Sequence, residues 1–105
     1  MATFKFYPVV PAGNGGTNVI YAGTLASAGT QSVTTGNNML IRIVGSQPLS
    51  VRFGSIGNSP VATATDIYIP GNTPEIFDMG QFNNVVSIYS FAAGNIVTVN
   101  QVVKN

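Results

Sequence analysis

Charge is the scarcest property of this sequence: seven of its 105 residues carry one, 7% against the roughly 25% of average usage. Histidine, cysteine and tryptophan are absent altogether. Without histidine there is no general base of the usual kind and no central member for a Ser-His-Asp triad. Without cysteine there is no disulfide framework and no thiolate chemistry, which fits folding in a reducing cytoplasm and equally a later release from it. A formal net charge of +1 supplies no basic field for nucleic acid and little repulsion between copies. Long apolar runs are missing too. No segment nears 18 uninterrupted apolar residues, and the start Met1-Ala-Thr-Phe-Lys-Phe-Tyr-Pro8 has no basic flank leading into one. We expect neither an export signal nor a membrane span.

The surface must therefore be built from neutral groups. A monomer of this mass exposes roughly 5,600 Å², about 800 Å² per charge, which is the area one partner contributes to a standard interface. Such a surface points to assembly.

What the sequence does contain is a β-protein's composition. Leu, Ile, Val and Phe number 31, enough for a core, and within them 13 Val and 9 Ile stand against 3 Leu. β-Branched residues are stiff at χ1 and suit a pleated sheet better than a helix. Period-2 alternation and turn residues mark about eight short strands, and no window shows a 3.6-residue stripe. In the centre, Met39, Ile41 and Ile43 alternate with Leu40, Arg42 and Val44. After the turn Gly45-Ser-Gln-Pro48, Leu49, Val51 and Phe53 alternate with Ser50 and Arg52. This reads as a hairpin with Arg42 and Arg52 on one outer face. Further strands follow over Asp66 to Ile69, Glu75 to Met79, Val85 to Phe91 and Asn95 to Val103. Eight short strands at such spacing predict one all-β domain over 1–105: a single-domain β-sandwich, jelly-roll-like, or a small barrel of short antiparallel strands.

The first third differs from the rest. Between Lys5 and Arg42 there are 36 consecutive uncharged positions. Pro8 and Pro11 restrict Phe4 to Val10 to an edge strand or an arm, and Gly13-Asn-Gly-Gly16 lacks the strand-loop-helix context of a phosphate-binding loop, so it reads as a flexible loop. We expect residues 1–35 to form an N-terminal arm or edge segment that contacts a partner.

Candidate chemistry is sparse. Asp66, Glu75 and Asp78 are the only side-chain carboxylates, and Glu75 and Asp78, three apart on a strand, point to opposite faces, a poor geometry for an acid–base pair or a metal site. We expect no catalytic residue, no metal and no cofactor. The five charges Arg42, Arg52, Asp66, Glu75 and Asp78 read either as orienting ion pairs across strands or as independent solvated groups, and exposed pairs supply about 0–1 kcal/mol each. Aromatic residues without interleaved basic ones do not make a nucleic-acid platform. Most rings belong in the core, with Phe4, Phe6, Tyr7, Tyr21, Tyr68 and Phe82, together with Pro8 and Pro11, as the interface candidates.

One pattern goes beyond composition. Ile41-Arg-Ile43, Val51-Arg-Phe-Gly54, Ala62-Thr-Ala-Thr-Asp-Ile-Tyr-Ile-Pro-Gly71, Glu75-Ile-Phe77 and Ala93-Gly-Asn-Ile-Val-Thr-Val99 together resemble a pattern of small virion proteins of tailed bacteriophages. The resemblance spans about positions 40 to 100. It implies a β-sandwich accessory protein of the virion, made in the host bacterial cytoplasm, such as a capsid decoration or cement protein, a head-fibre base or a minor tail component. It brings no catalytic residues. The expected partners are the major capsid protein or another virion protein and sister copies in a dimer or trimer, with no nucleic acid and no membrane. Two rival expectations are a host-attachment module that binds glycans through Tyr and Asn side chains and, more remotely, an enzyme using Glu75.

Overall fold

A computed structural model of the protein describes residues 19–102. Within them lie eight strands: β1 (Val19–Leu25), β2 (Thr30–Thr34), β3 (Leu40–Gly45), β4 (Leu49–Gly54), β5 (Ile67–Ile69), β6 (Glu75–Asp78), β7 (Val85–Ser90) and β8 (Asn95–Val102). A single 3-10 turn, Ile56–Asn58, is the one helical element among the described residues.

The strands form two four-stranded antiparallel sheets, in the orders β1-β8-β3-β6 and β2-β7-β4-β5. Both orders follow from one operation. If the first half of the chain is laid antiparallel against the second, β1 meets β8, β2 meets β7, β3 meets β6 and β4 meets β5, and all four pairings are present. Rolling that ribbon so that β3 also meets β8 and β4 also meets β7 closes the two sheets. This is the eight-stranded jelly-roll sandwich. The expected all-β sandwich is thus the observed architecture, as two sheets rather than a barrel.

Its core lies between the sheets. Ile41 and Ile43 of β3 and Val97 and Val99 of β8 point inward from the first sheet, and Leu49, Val51, Ile69, Val86 and Ile88 from the second. Leu25, Val33 and Met79 complete the buried cluster. The alternation read from the sequence in the centre places Ile41, Ile43 and Val51 on the inward side that the structure shows. The hairpin does not form: β3 and β4 belong to different sheets, and residues 46–48 carry the chain across the sandwich. Arg42 and Arg52 therefore lie on opposite outer faces of the molecule.

Residues 19–34 supply an edge strand to each sheet, β1 and β2. Residues 1–18 of the expected arm, with Phe4, Phe6, Tyr7, Pro8 and Pro11, lie outside the described residues. The other two edges are blunted, β5 by its three residues and β6 by Glu75 and Asp78.

At one end of the sandwich Asn95 ties the sheets together. Fully buried at the start of β8, it accepts the Gln47 amide at its Oδ1 (3.0 Å) and donates from Nδ2 to Gln47 O, Pro48 O and Ser90 Oγ at 3.1, 3.2 and 3.1 Å. Gly45 makes room for it, since a Cβ there would stand 2.7 Å from Asn95 Oδ1 and 2.7 Å from Leu49 Cδ2.

Between β4 and β5 the chain folds back over the outside of the second sheet. Pro60 caps Gly54, Ser50 Oγ donates to Thr63 O, and Ala62 N donates to Ser87 Oγ at 2.8 Å. Ser50 and Ser87 are consequently buried on the outward side of their strands, with their hydroxyls satisfied. Asp66 fastens this strap. Its carboxylate accepts the Thr63 amide (2.7 Å), the Thr63 hydroxyl (3.2 Å) and Arg52 Nε (3.0 Å). The Thr63 amide, against an opposing push from burial and with help from Arg52 and the Thr63 hydroxyl, holds its carboxyl below the ordinary carboxylate range. A depressed folded-state value contributes stability that is present above the unfolded value and lost as pH falls through the folded one. Thermal midpoints measured from neutral pH into acid should therefore fall more steeply for the native chain than for Asp66→Asn. Parallel curves would show that the strap's carboxylate carries no linkage.

Candidate functional site: two apolar contact points

At the end of the sandwich opposite Asn95, three turns meet: 35–39, 55–59 and 79–84. Each needs an unusual backbone, with φ of 58° at Asn38, 45° at Ser59 and 69° at Gly80, and each is held by asparagine. Asn37 Nδ2 donates to Gln81 O (2.9 Å) and Asn83 O (3.3 Å). Asn83 Nδ2 donates to Met79 O (2.9 Å), and Asn84 Oδ1 accepts the Ile56 amide (2.9 Å). Backbone bonds from Asn38 to Gly80, Thr35 to Asn84 and Asn84 to Gly54 complete the weave. On this fastened frame stand two large apolar side chains in water, Phe82 at 78% exposure and Ile56 at 57%. No residue of the three turns is charged.

A second apolar point lies on the outward side of the second sheet, toward the other end. Tyr68 of β5 and Tyr89 of β7 both flank Ser50 of β4 in the ladder. Phe91, just beyond β7, packs edge-on against both, with centroids 5.6 Å from Tyr68 and 5.1 Å from Tyr89. Tyr68 is 56% exposed. The cluster is a small ring-edged platform on a rigid sheet.

Of the predicted interface residues within 19–102, Tyr68 and Phe82 are exposed. Tyr21 instead packs against the core, its ring lying over Gly23. The five charges do not form one face. Arg52 and Asp66 pair on the second sheet's outer side, the one ion pair found among the described residues. Arg42 sits half-buried on the first sheet between Ile76 and Asn100, Asp78 accepts the Gly80 amide at 2.9 Å, and Glu75 stands exposed on the β6 edge.

No family model, no curated protein and no solved structure matches the chain. The functional reading therefore rests on the residues themselves. Among the described residues there is no group of three or more potential metal ligands, and no helix is long and apolar enough to cross a membrane.

One contact residue carries no signal in the sequence pattern. Ile56 lies in a 3-10 turn beside Gly57, where no strand period says in or out. Phe91, two residues beyond outward Tyr89, continues the β7 alternation onto the outer surface, although it is not among the interface candidates of the sequence. The asparagine pairs Asn37-Asn38 and Asn83-Asn84 are the legible trace of the fastened end, since side-chain amides at turns bond neighbouring backbone.

Proposed function

We propose that this protein is a non-catalytic structural module that bridges copies of itself to a repetitive protein surface. On the motif resemblance, we further propose that this surface is the major capsid lattice of a tailed bacteriophage, on which the chain acts as a decoration or cement protein. The observation that carries the reading is the pair of separate apolar contact points on rigid elements, Phe82 with Ile56 at one end and Tyr68 with Phe91 toward the other. A cement needs two such points, one for a sister copy and one for the lattice. Interface centres are depleted in charge and rich in aromatic anchors, and a repeating lattice lets modest contacts suffice through multivalency. The test is mass spectrometry of purified phage particles whose genome carries this gene. The chain is expected at a fixed ratio to the major capsid protein, and particles without it would overturn the reading.

The Tyr68–Phe91–Tyr89 cluster favours a second reading, a glycan-binding attachment module, because exposed rings stack on sugar faces. A glycan array separates the two: a cement shows no selective sugar binding, whereas selective binding lost in Tyr68→Ala would establish the attachment module.

A further inference from the structure

We propose that the end formed by turns 35–39, 55–59 and 79–84 is a self-association face, on which two copies of this chain meet about a two-fold axis with Phe82 at its centre. This deepens the bridging reading by naming the occupant of one of its two contact points, and it leaves the Tyr68 platform to the other partner.

Three observations favour a second copy as the occupant. Among the described residues, the three turns carry no charge. In a two-fold contact each patch meets its own image, so a charged patch would confront like charge, whereas a neutral one does not. An acidic or basic partner, conversely, would find no counter-charge on the three turns themselves, and the nearest carboxylate in sequence, Asp78, accepts the Gly80 amide. Next, the anchors are pre-organised. Phe82 sits between two residues whose carbonyls both accept from Asn37, and Ile56 hangs from Asn84. Little backbone freedom remains to be lost on association, and that loss is what usually weakens loop-mediated contacts. Finally, the shape suits pairing: a single aromatic side chain, 78% exposed, stands with Ile56 on a neighbouring turn. A ring near a two-fold axis packs against its image or slots beside the image of Ile56, and either arrangement buries both.

The test uses the full chain and sedimentation equilibrium. The native protein is expected at twice its 10.9 kDa monomer mass. Phe82→Asp and Phe82→Lys are each expected to raise the dissociation constant about thirtyfold or more, the effect of losing a central anchor. Both should keep the native circular dichroism and thermal midpoint, because the side chain makes little contact within the fold. Mixing the two variants one to one is expected to restore the doubled mass, since the axis then brings Asp against Lys.

A native chain that stays monomeric at its highest attainable concentration overturns the proposal, as does a native trimer or variants that keep the native mass. Variants that separate but do not recombine overturn the two-fold arrangement. None of these outcomes bears on whether particles contain the chain, so this proposal and the capsid reading fail separately.

Discussion

Asn95→Asp is expected to destabilise the protein by about 3–5 kcal/mol at neutral pH, the range for leaving a buried charge without compensation. The side chain's orientation is fixed by its surroundings. The Gln47 amide is a donor and must face Oδ1, while Nδ2 faces two carbonyl oxygens, of Gln47 and Pro48, that can only accept. An aspartate places a second oxygen against those carbonyls in a fully buried position. The folded state then favours the protonated acid, so the introduced group's folded pKa is raised above its unfolded value. For a raised acid the folded state binds more protons between the two values, and stability falls as pH rises through that window. The deficit should be small below the unfolded value near pH 4 and fully developed at neutral pH. Urea denaturation of the native chain, Asn95→Asp and Asn95→Ala at acidic and neutral pH checks this. Asn95→Asp is expected to be the least stable at neutral pH and to close much of its gap to Asn95→Ala in acid. A pH-independent gap would mean that the carboxylate escapes to water and that the latch is not the closed network described above.

That network also explains where the sequence was legible and where it was not. Alternation assigns Ile41, Ile43 and Val51 to the inside, because period 2 reports which side of a strand faces the core. It says nothing about which strand lies beside which. Strands β3 and β4 would aim their apolar faces at one core whether they paired as a hairpin or faced each other across a sandwich. Gly45-Ser-Gln-Pro48 has the composition of a hairpin turn in either case. The deciding interaction comes from Asn95, 48 residues after Gln47, and no local pattern announces it.

The contact points follow the same rule. Tyr68 is readable as outward because it alternates with buried Ile69 in β5, and the Asp66–Arg52 pair realises, for two of the five charges, one of the two readings that the sequence left open. Arg42 and Arg52 could not be told apart from one another, since their separation is a consequence of the crossing at 46–48. Tyr21 and Phe82 are each an aromatic close to glycine. The difference between core and water lies in tertiary position, Tyr21 folding over Gly23 and Phe82 riding a turn whose backbone is tied down on both sides of it.

The jelly roll closes only if both of its central pairs, β3–β8 and β4–β7, pack across a filled interior, and this sets the second large effect. Ile43→Ala removes a side chain with no exposed surface from β3, a strand bonded to neighbours on both sides, Val99 on β8 and Glu75 on β6. The backbone ladder restrains the strand from collapsing into the space, so the loss combines the transfer free energy of the removed methyl groups with a cavity term, about 3 kcal/mol within the usual 2–5 for such truncations. Alanine's poorer fit to a pleated strand adds in the same direction. For a domain of this size that corresponds to a thermal midpoint lowered by about 12–24 °C. Ile96→Ala supplies the control: its side chain lies on the outer side of neighbouring β8 and is 61% exposed, so the same chemical change should stay within about 0.5 kcal/mol. Scanning calorimetry of both variants reads the contrast directly. Equal shifts would place the two isoleucines in equivalent environments and contradict the inward face of β3 on which the sandwich depends.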